Sequence, residues 1–274
     1  MKNITIDWQV FFDNNSKGED MWGHYKTHNG DLYIVIDGAS NHEGTKTGGD
    51  VAKFIDDKLK KEAKNIVRSN DLKELLRSIN DESAKVNEGA FAAIAGLLHR
   101  QDTLFAFSAG DVSILAKKPN GKLLQVLPLD LKMDEDEAEK TALNEIGTVI
   151  NGTEITKENY IQRSQQYMNH GLCNAVGIGD SFYLNERIFN NKDGAVILIA
   201  SDGITDPFLP LYKEAGKITK SDAEKISKLI ESSENAEQAV ESLKELIWDT
   251  QVVEKRKIKA DDRTAIFFYM NTSE

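Results

Sequence analysis

Acidic side chains stand beside glycine at the points where apolar segments of this sequence stop. Asp37-Gly38 follows the run YIVI, and Asp202-Gly203 follows ILIAS. Both runs have the length and composition of buried strands. Carboxylates gathered at the rim of a core repel one another and lose hydration, so a positive partner must neutralise them. A glycine after each aspartate lets the backbone approach such a partner closely.

The same pattern recurs along the chain. Further acidic residues at predicted strand ends are Glu19, Asp20, Asp111, Asp206, Asp261 and Asp262. An isolated Asp-Gly pair is most often an ordinary turn, but its repetition at strand ends indicates a shared site. The chain has one cysteine, Cys173, and five histidines, so oxygen ligands dominate. Such ligands favour hard cations, namely Mg²⁺, Mn²⁺ or Ca²⁺.

Composition narrows the class of protein. The 274 residues suit one large domain or two small ones, and the 34 basic and 45 acidic residues give a net charge of −11. An acidic chain repels phosphate backbones, which argues against a nucleic-acid partner. A single cysteine allows no intrachain disulfide, and no apolar run reaches the ~18 residues of a membrane span. We therefore expect a cytoplasmic protein with no membrane partner.

Apolar periodicity predicts grouped strands and grouped helices. The predicted helices are 50–64, 71–86, 221–231 and 236–248, and the predicted strands outside the central region are 4–12, 33–36, 195–200 and 264–270. Four short runs between residues 91 and 127 indicate a β-meander, with Gly110-Asp111 at one of its turns. Residues 130–170 are polar and acidic, and we interpret them as a variable insert. This order predicts an α+β fold with antiparallel sheets covered by helix pairs.

The ordered motifs resemble the PPM-type, or type 2C, metal-dependent protein serine/threonine phosphatases. The segments that carry the resemblance are GED (18–20), IVIDGASN (34–41), FSAGDVSIL (107–115), LCNAVGIGD (172–180), ILIASDGITD (197–206) and DDRTAIFF (261–268). Their order and spacing match over nearly the whole chain. The resemblance implies a single domain, 1–274, built as a four-layer α-β-β-α sandwich. It also places the 130–170 insert where the family has a flap beside the active site.

The resemblance further implies a role for each acidic residue. Asp37 would bridge two divalent metal ions, Mn²⁺ or Mg²⁺, and the Gly38 carbonyl would bind one of them. Asp202 and Asp261 would complete the first metal site, and Glu19 and Asp20 would hold metal-bound waters. Asp111 and Asp206 match positions that help to bind a third, weaker metal. Asp262 stands where the family often has asparagine, and we favour Asp261 over Asp262 as the direct ligand.

Metal chemistry then suggests the reaction. Two divalent ions roughly 3.5–4 Å apart convert a bridging water to hydroxide and neutralise the phosphoryl oxygens during in-line attack on phosphorus. The resemblance implies that the substrate is a phosphorylated protein, which loses phosphate from serine or threonine. Catalysis would depend on Asp37, Asp202 and Asp261.

The sequence departs from the family pattern around the substrate. Asn15 occupies the position of the usual phosphate-binding arginine, and Lys17 is the nearby cation that could replace it, although an ammonium lacks the planar fork of a guanidinium. The usual Gly-Asp-Ser-Arg turn reads Gly-Asp-Val-Ser. These changes motivate an alternative function, a catalytically weak module that binds phosphoproteins or regulates a partner. A hydrolase of small phosphorylated metabolites is a third reading.

Two other phosphate motifs do not fit. A haloacid-dehalogenase-like phosphatase needs a second aspartate two residues from Asp37, where Val35 and Ala39 stand. The segment GTKTGGD (44–50) lacks the spacing of a P-loop. We interpret it as a turn and helix start with close backbone packing. Oligomeric state is not encoded in any of these patterns.

Overall fold

The computed structural model describes most of the chain. The described residues are 4–14, 16–40, 45–87, 89–100, 103–118, 121–130, 139, 143, 146–147, 149–150, 153–154, 156–161, 174–179, 182–190, 195–208, 220–249 and 261–272. Asn15 and Cys173 of the sequence analysis lie outside them, as does most of the 130–170 insert.

Strands and helices follow one another in the predicted groups. The elements are β1 (Ile4–Asp13), β2 (Met21–Thr27), β3 (Gly30–Ser40), α1 (Gly48–Glu62), α2 (Ser69–Val86), β4 (Ala90–Arg100), β5 (Thr103–Ala109), β6 (Ser113–Lys117), β7 (Leu123–Gln125), β8 (Val149–Ile150), β9 (Thr153–Glu154), β10 (Asn185–Asn190), β11 (Val196–Ala200), α3 (Asp202–Phe208), α4 (Lys220–Ser232), α5 (Ala236–Trp248) and β12 (Arg263–Thr272). A short 3₁₀ turn, Ala63–Asn65, follows α1.

Two antiparallel five-stranded sheets form the centre of the molecule. Sheet A has the order β1-β12-β11-β6-β7, and sheet B has the order β10-β5-β4-β3-β2. Residues such as Val35, Ile199 and Ile266 pack between the sheets. The α1/α2 pair packs on the outer face of sheet B, and the α4/α5 pair packs on sheet A. The predicted α+β, α-β-β-α sandwich is therefore confirmed.

The predicted meander is wrong at one point. The hairpin of β4 and β5 forms in sheet B, and that of β6 and β7 forms in sheet A. The chain therefore passes from one sheet to the other at Gly110-Asp111. Gly110 has a φ of +102° and packs directly on Ala93, so only glycine fits this crossing without strain. Single-strand periodicity cannot reveal such a crossing, because each strand has the same apolar pattern in either sheet.

The prediction that Asp37-Gly38 ends a strand is also wrong. β3 continues to Ser40, with Asp37 opposite Ala93 and Gly38 opposite Ala92 of β4. Five elements have no counterpart in the sequence prediction, namely β2, β8, β9, β10 and α3. In the insert, the structure describes only isolated residues, the two-stranded β8–β9 ladder and residues 156–161. No helix among the described residues is long and apolar enough to span a membrane.

β3 and α1 meet through two glycines. A Cβ on Gly48 would lie 2.2 Å from the carbonyl carbon of Gly38, and a Cβ on Gly38 would lie 2.4 Å from that of Gly48. Thr47 caps the helix, because its hydroxyl accepts from the Asp50 amide at 3.2 Å. The close packing predicted for the GTKTGGD segment is thus confirmed. The backbone contact fixes the start of α1 against the strand that carries Asp37.

We predict that Gly48→Ala destabilises the protein, because the added methyl must displace the backbone of β3 rather than a flexible side chain. The expected loss in free energy of unfolding is on the order of 3 kcal/mol. Chemical denaturation measures it. Gly121→Ala is the matched control, since its new Cβ would come no nearer than 3.2 Å to the Lys118 Cβ and carbonyl oxygen, a contact that a shift of a few tenths of an ångström relieves. Equal, small losses in the two variants would contradict the close-contact explanation.

Candidate metal-dependent active site

The predicted acidic residues converge at one end of the sandwich. Asp37 lies on β3 in sheet B, and Asp202 begins α3 directly after β11 of sheet A. The Asp202 amide donates to Asp37 Oδ2 at 3.4 Å, which joins the two sheets. Asp261 precedes β12, and Glu19 and Asp20 precede β2. The two Asp-Gly segments thus meet across the two sheets.

The carboxyl of Asp37 is buried among other acidic side chains. Burial raises the pKa of its carboxyl well above the usual value of 3.8, and the charges of Asp202, Asp20 and Asp111 raise it further. The amide of Asp202 opposes these effects. A carboxyl in this position favours either a proton or a cation, because both remove the repulsion.

Asp20 connects the edge of sheet B to sheet A. Its Oδ2 accepts a hydrogen bond from the Thr264 hydroxyl at 2.7 Å, and its amide donates to Asn14 Oδ1 at 3.3 Å. Burial raises the pKa of Asp20 to about 6, against hydrogen bonds from Thr264 and Ser201 that lower it. The charges of Asp262 and Asp202 raise this pKa as well. The charge of Asp202 therefore raises the pKa of both Asp20 and Asp37.

Asp261 and Asp262 have different surroundings. The carboxylate of Asp262 is buried and accepts backbone hydrogen bonds from Ser16, Lys17 and Glu19. The carboxylate of Asp261 instead pairs with the Lys17 ammonium, at 3.3 Å. An aspartate whose oxygens already accept three amides has little capacity left for a metal. This difference supports Asp261 as the ligand, as the sequence analysis favours.

The remaining predicted residues lie around this group. Glu19 Oε1 accepts from the Gly48 amide at 3.1 Å, so it faces the start of α1. Asp111 follows the sheet crossing and is close enough to Asp37 to raise its pKa. Asp206 lies on α3, one helical turn after Asp202, but its side chain is outside the described part of the structure. Lys17 is about half exposed, with 53% of its side-chain surface accessible.

Asp130 is a structural residue of the site that the sequence analysis assigned to the insert. Its buried carboxylate accepts from the Gly110 amide at 3.0 Å and from Asn174 and Tyr183, each at 2.8 Å. Asn185 donates to both of its oxygens. These bonds tie the segment before β10 to the Gly110-Asp111 crossing. No local motif marks Asp130, because all its partners are distant in sequence.

The donor set fits a hard divalent cation. It consists of carboxylate oxygens, and among the described histidines the His24 ring stacks on Tyr33 and pairs with Asp31 on the β2–β3 hairpin. Among the described residues, no three Asp, Glu, His or Cys side chains form a complete metal site as they stand. A cation bound among these carboxylates would offset their mutual repulsion.

We predict that Asp37→Asn stabilises the metal-free protein. The pKa of Asp37 is higher in the folded protein than in the unfolded chain, where it is 3.8. Below pH 3.8 the carboxyl is protonated in both states and costs no stability. As the pH rises through the raised pKa, the folded state loses stability relative to the unfolded chain, because ionisation is less favourable in the folded state. At pH 8 the melting temperature of the variant should therefore be a few degrees above that of the wild type, since each kcal/mol corresponds to about 2–4 °C. At pH 5 the difference should be smaller.

Thermal unfolding in a chelator measures this difference. Asp57→Asn, on the exposed face of α1, is the control and should behave like the wild type at both pH values. Saturating Mn²⁺ should reverse the order of wild type and Asp37→Asn. An Asp37→Asn protein that is less stable than the wild type in chelator would contradict the repulsion argument.

Known structures share this arrangement of sheets and helices. A bacterial serine phosphatase is 19% identical, with a TM-score of 0.67 and coverage of 98% of this chain and 100% of its own. Stp1, a serine/threonine phosphatase of Staphylococcus aureus, is 19% identical with a TM-score of 0.66, and the match covers 98% and 96% of the two chains. The catalytic domain of the phosphatase PstP, in complex with two manganese ions, is 17% identical with a TM-score of 0.61 over 98% and 99%.

Comparison of the sequence alone, unlike comparison of the structure, finds no relative. No protein-family model matches it, and no curated protein matches it either. The structural matches extend over almost the full length of both chains, so they concern the whole fold rather than a shared substructure. The chain thus has the fold of the PPM-type bacterial serine/threonine phosphatases.

Proposed function

We propose that this protein is a metal-dependent phosphomonoester hydrolase that removes phosphate from phosphoserine and phosphothreonine of proteins. The observation that carries the proposal is the contact between Asp37 and the Asp202 amide, since it brings acidic groups from opposite sheets to one point. The fold shared with serine/threonine phosphatases supports the reaction class.

The residues divide into three roles in this proposal. Asp37, the Gly38 carbonyl, Asp202 and Asp261 would hold two divalent ions, Mn²⁺ or Mg²⁺. Glu19 and Asp20 would orient water around the ions, and Asp111 with Asp206 would support a third. When bound, the ions would supply a nucleophile at neutral pH and charge neutralisation for the phosphoryl group.

Hydrogen bonds and close backbone packing would hold the proposed site in place before an ion binds. The hydrogen bonds to Thr264 and Asn14 hold Asp20 at the edge of sheet B, so its carboxylate stays oriented toward the site. The close packing of Gly38 against Gly48 prevents β3 from shifting along its axis. Preorganised groups of this kind reduce the reorganisation that charge development would otherwise require.

Lys17 is our candidate for binding the substrate phosphate. Its ammonium lies 3.3 Å from Asp261 and is half exposed, so it is at the mouth of the site and can reach a ligand in solution. Once cations neutralise Asp261, the ammonium would be available for an anionic phosphoryl oxygen. An ammonium acts as a point charge, which suits this role without the bidentate geometry of arginine.

The first test is turnover. The wild type should hydrolyse p-nitrophenyl phosphate and a phosphothreonine peptide when Mn²⁺ is added, and Asp37→Asn and Asp202→Asn should each lose about 100-fold or more in kcat/KM. Asp57→Asn should retain wild-type kinetics.

The outcomes separate the competing functions. A wild type that binds the phosphopeptide without turnover, and shows no calorimetric signal with millimolar Mn²⁺, would be a phosphoprotein-binding module instead. Faster hydrolysis of sugar phosphates than of phosphopeptides would favour a metabolite as substrate. Turnover that survives in Asp37→Asn would refute the proposed site.

The second test concerns Lys17. Lys17→Met should raise KM for a phosphothreonine peptide about tenfold with a smaller change in kcat, because one charge-assisted contact to the phosphate is lost. Lys17→Arg should keep KM near the wild-type value. Lys26→Met is the control, since Lys26 is exposed and pairs with Asp31 on the β2–β3 hairpin. An unchanged KM in Lys17→Met would exclude this contact.

A further inference from the structure

We infer that Asp262 is a positioning residue that sets the place of Lys17 at the mouth of the site. The inference rests on the proposed function, since it assigns Asp262 a role in holding the phosphate-binding lysine. We call residues 16–19 the phosphate loop. Asp262 touches neither ligand nor reacting atoms in this assignment, and it acts through the backbone of that loop.

Three amides of the phosphate loop converge on one carboxylate. Ser16 and Lys17 donate their backbone N–H groups to Asp262 Oδ1 at 2.9 and 3.0 Å, and Glu19 donates to Oδ2 at 2.7 Å. Asp262 has only 2% of its surface exposed. Charge-assisted hydrogen bonds in a buried place are among the stronger polar contacts in a protein. The loop is therefore anchored by a carboxylate that lies 245 positions from Lys17 in sequence.

The chemistry of the anchor requires a carboxylate. An ionised aspartate offers two acceptor oxygens and no donor, and all three loop groups are donors. An asparagine could accept from two of the amides through its single oxygen, but its NH₂ group would then face the third.

Asp262 is itself held in place from the other side. A Cβ added to Gly203 would lie 2.0 Å from the Asp262 carbonyl oxygen, so the start of α3 packs directly on this residue. The neighbouring Thr264 amide donates to Ser201 Oγ at 3.0 Å. Asp262 thus links three segments: the phosphate loop, the start of β12 and the turn that carries Asp202.

The position of Lys17 follows from this link. Its amide is fixed by Asp262, and its ammonium reaches the adjacent Asp261 at 3.3 Å. The next residue, Gly18, has a φ of +76°, a conformation that reverses the loop toward Glu19 and favours glycine. The loop conformation therefore directs the Lys17 side chain toward Asp261, one of the proposed ligands. Without the anchor, the same lysine would sample many positions over solvent.

The experiment is a double-mutant cycle between Asp262→Asn and Lys17→Met, with two readouts. One is KM for a phosphothreonine peptide, and the other is the calorimetric Kd for inorganic phosphate in the presence of Mn²⁺, which requires no turnover. Asp262→Asn alone should weaken both about tenfold. In the Lys17→Met background, the same substitution should add less than about twofold, because the two residues act through one contact.

Hydrogen exchange tests the anchor itself. In the metal-free protein, the amides of Ser16, Lys17 and Glu19 should exchange faster in Asp262→Asn than in the wild type. Amides in the centre of β4 should not change, which shows that the variant is folded. Asp57→Asn is the matched aspartate control in all three measurements.

Each outcome decides the question. Unchanged exchange in the loop would overturn the anchor. Faster exchange with additive effects on phosphate affinity would overturn its action through Lys17. A wild type that binds phosphate with the expected cycle but has no turnover would retain the positioning role and refute the proposed hydrolase function. A wild type that does not bind phosphate would refute both.

Discussion

The repulsion among carboxylates at one end of the sandwich is the constraint on which this structure depends. Asp37 lies on β3, Asp20 precedes β2 and Asp202 begins α3 directly after β11 of the other sheet. The charges of Asp202 and Asp20 raise the pKa of Asp37, and the charge of Asp202 raises that of Asp20. The apolar core between the sheets and the glycine contact of β3 with α1 hold them together against this cost. Without a cation, the protein must store this unfavourable energy in its folded state.

The acidic residues at this end of the sandwich differ in the hydrogen bonds that their carboxylates accept. Asp262 and Asp130 are buried too, yet backbone and side-chain N–H and O–H groups surround their oxygens. These donors take the place of water around the two carboxylates, so both aspartates can stay buried and hold loops in place. Asp37 receives a single long bond from the Asp202 amide among its described contacts. The difference in donors separates carboxylates that hold the structure from those that are suited to a cation.

Much of the fold could be predicted from the sequence because its signals are local. The periodicity of α5 gave its bounds, 236–248, and the acidic motifs pointed to Asp37, Asp202 and Asp261 in order. The missed elements lack such signals. β2 contains glycine and histidine, β10 is a polar edge strand, and α3 has only seven residues with a proline near its end. The sheet crossing at Gly110 and the anchors Asp130 and Asp262 depend on partners distant in sequence, which no single-chain pattern records.

The acidic residues of the two sheets are proposed to form one cation site. Anomalous diffraction from crystals soaked in Mn²⁺ would locate the ions. We expect manganese peaks between Asp37 and Asp202, with Asp261 among the ligands and Asp262 still bonded to the amides of the phosphate loop. Manganese absent from this place, or bound through Asp262 with the loop released, would contradict this proposal.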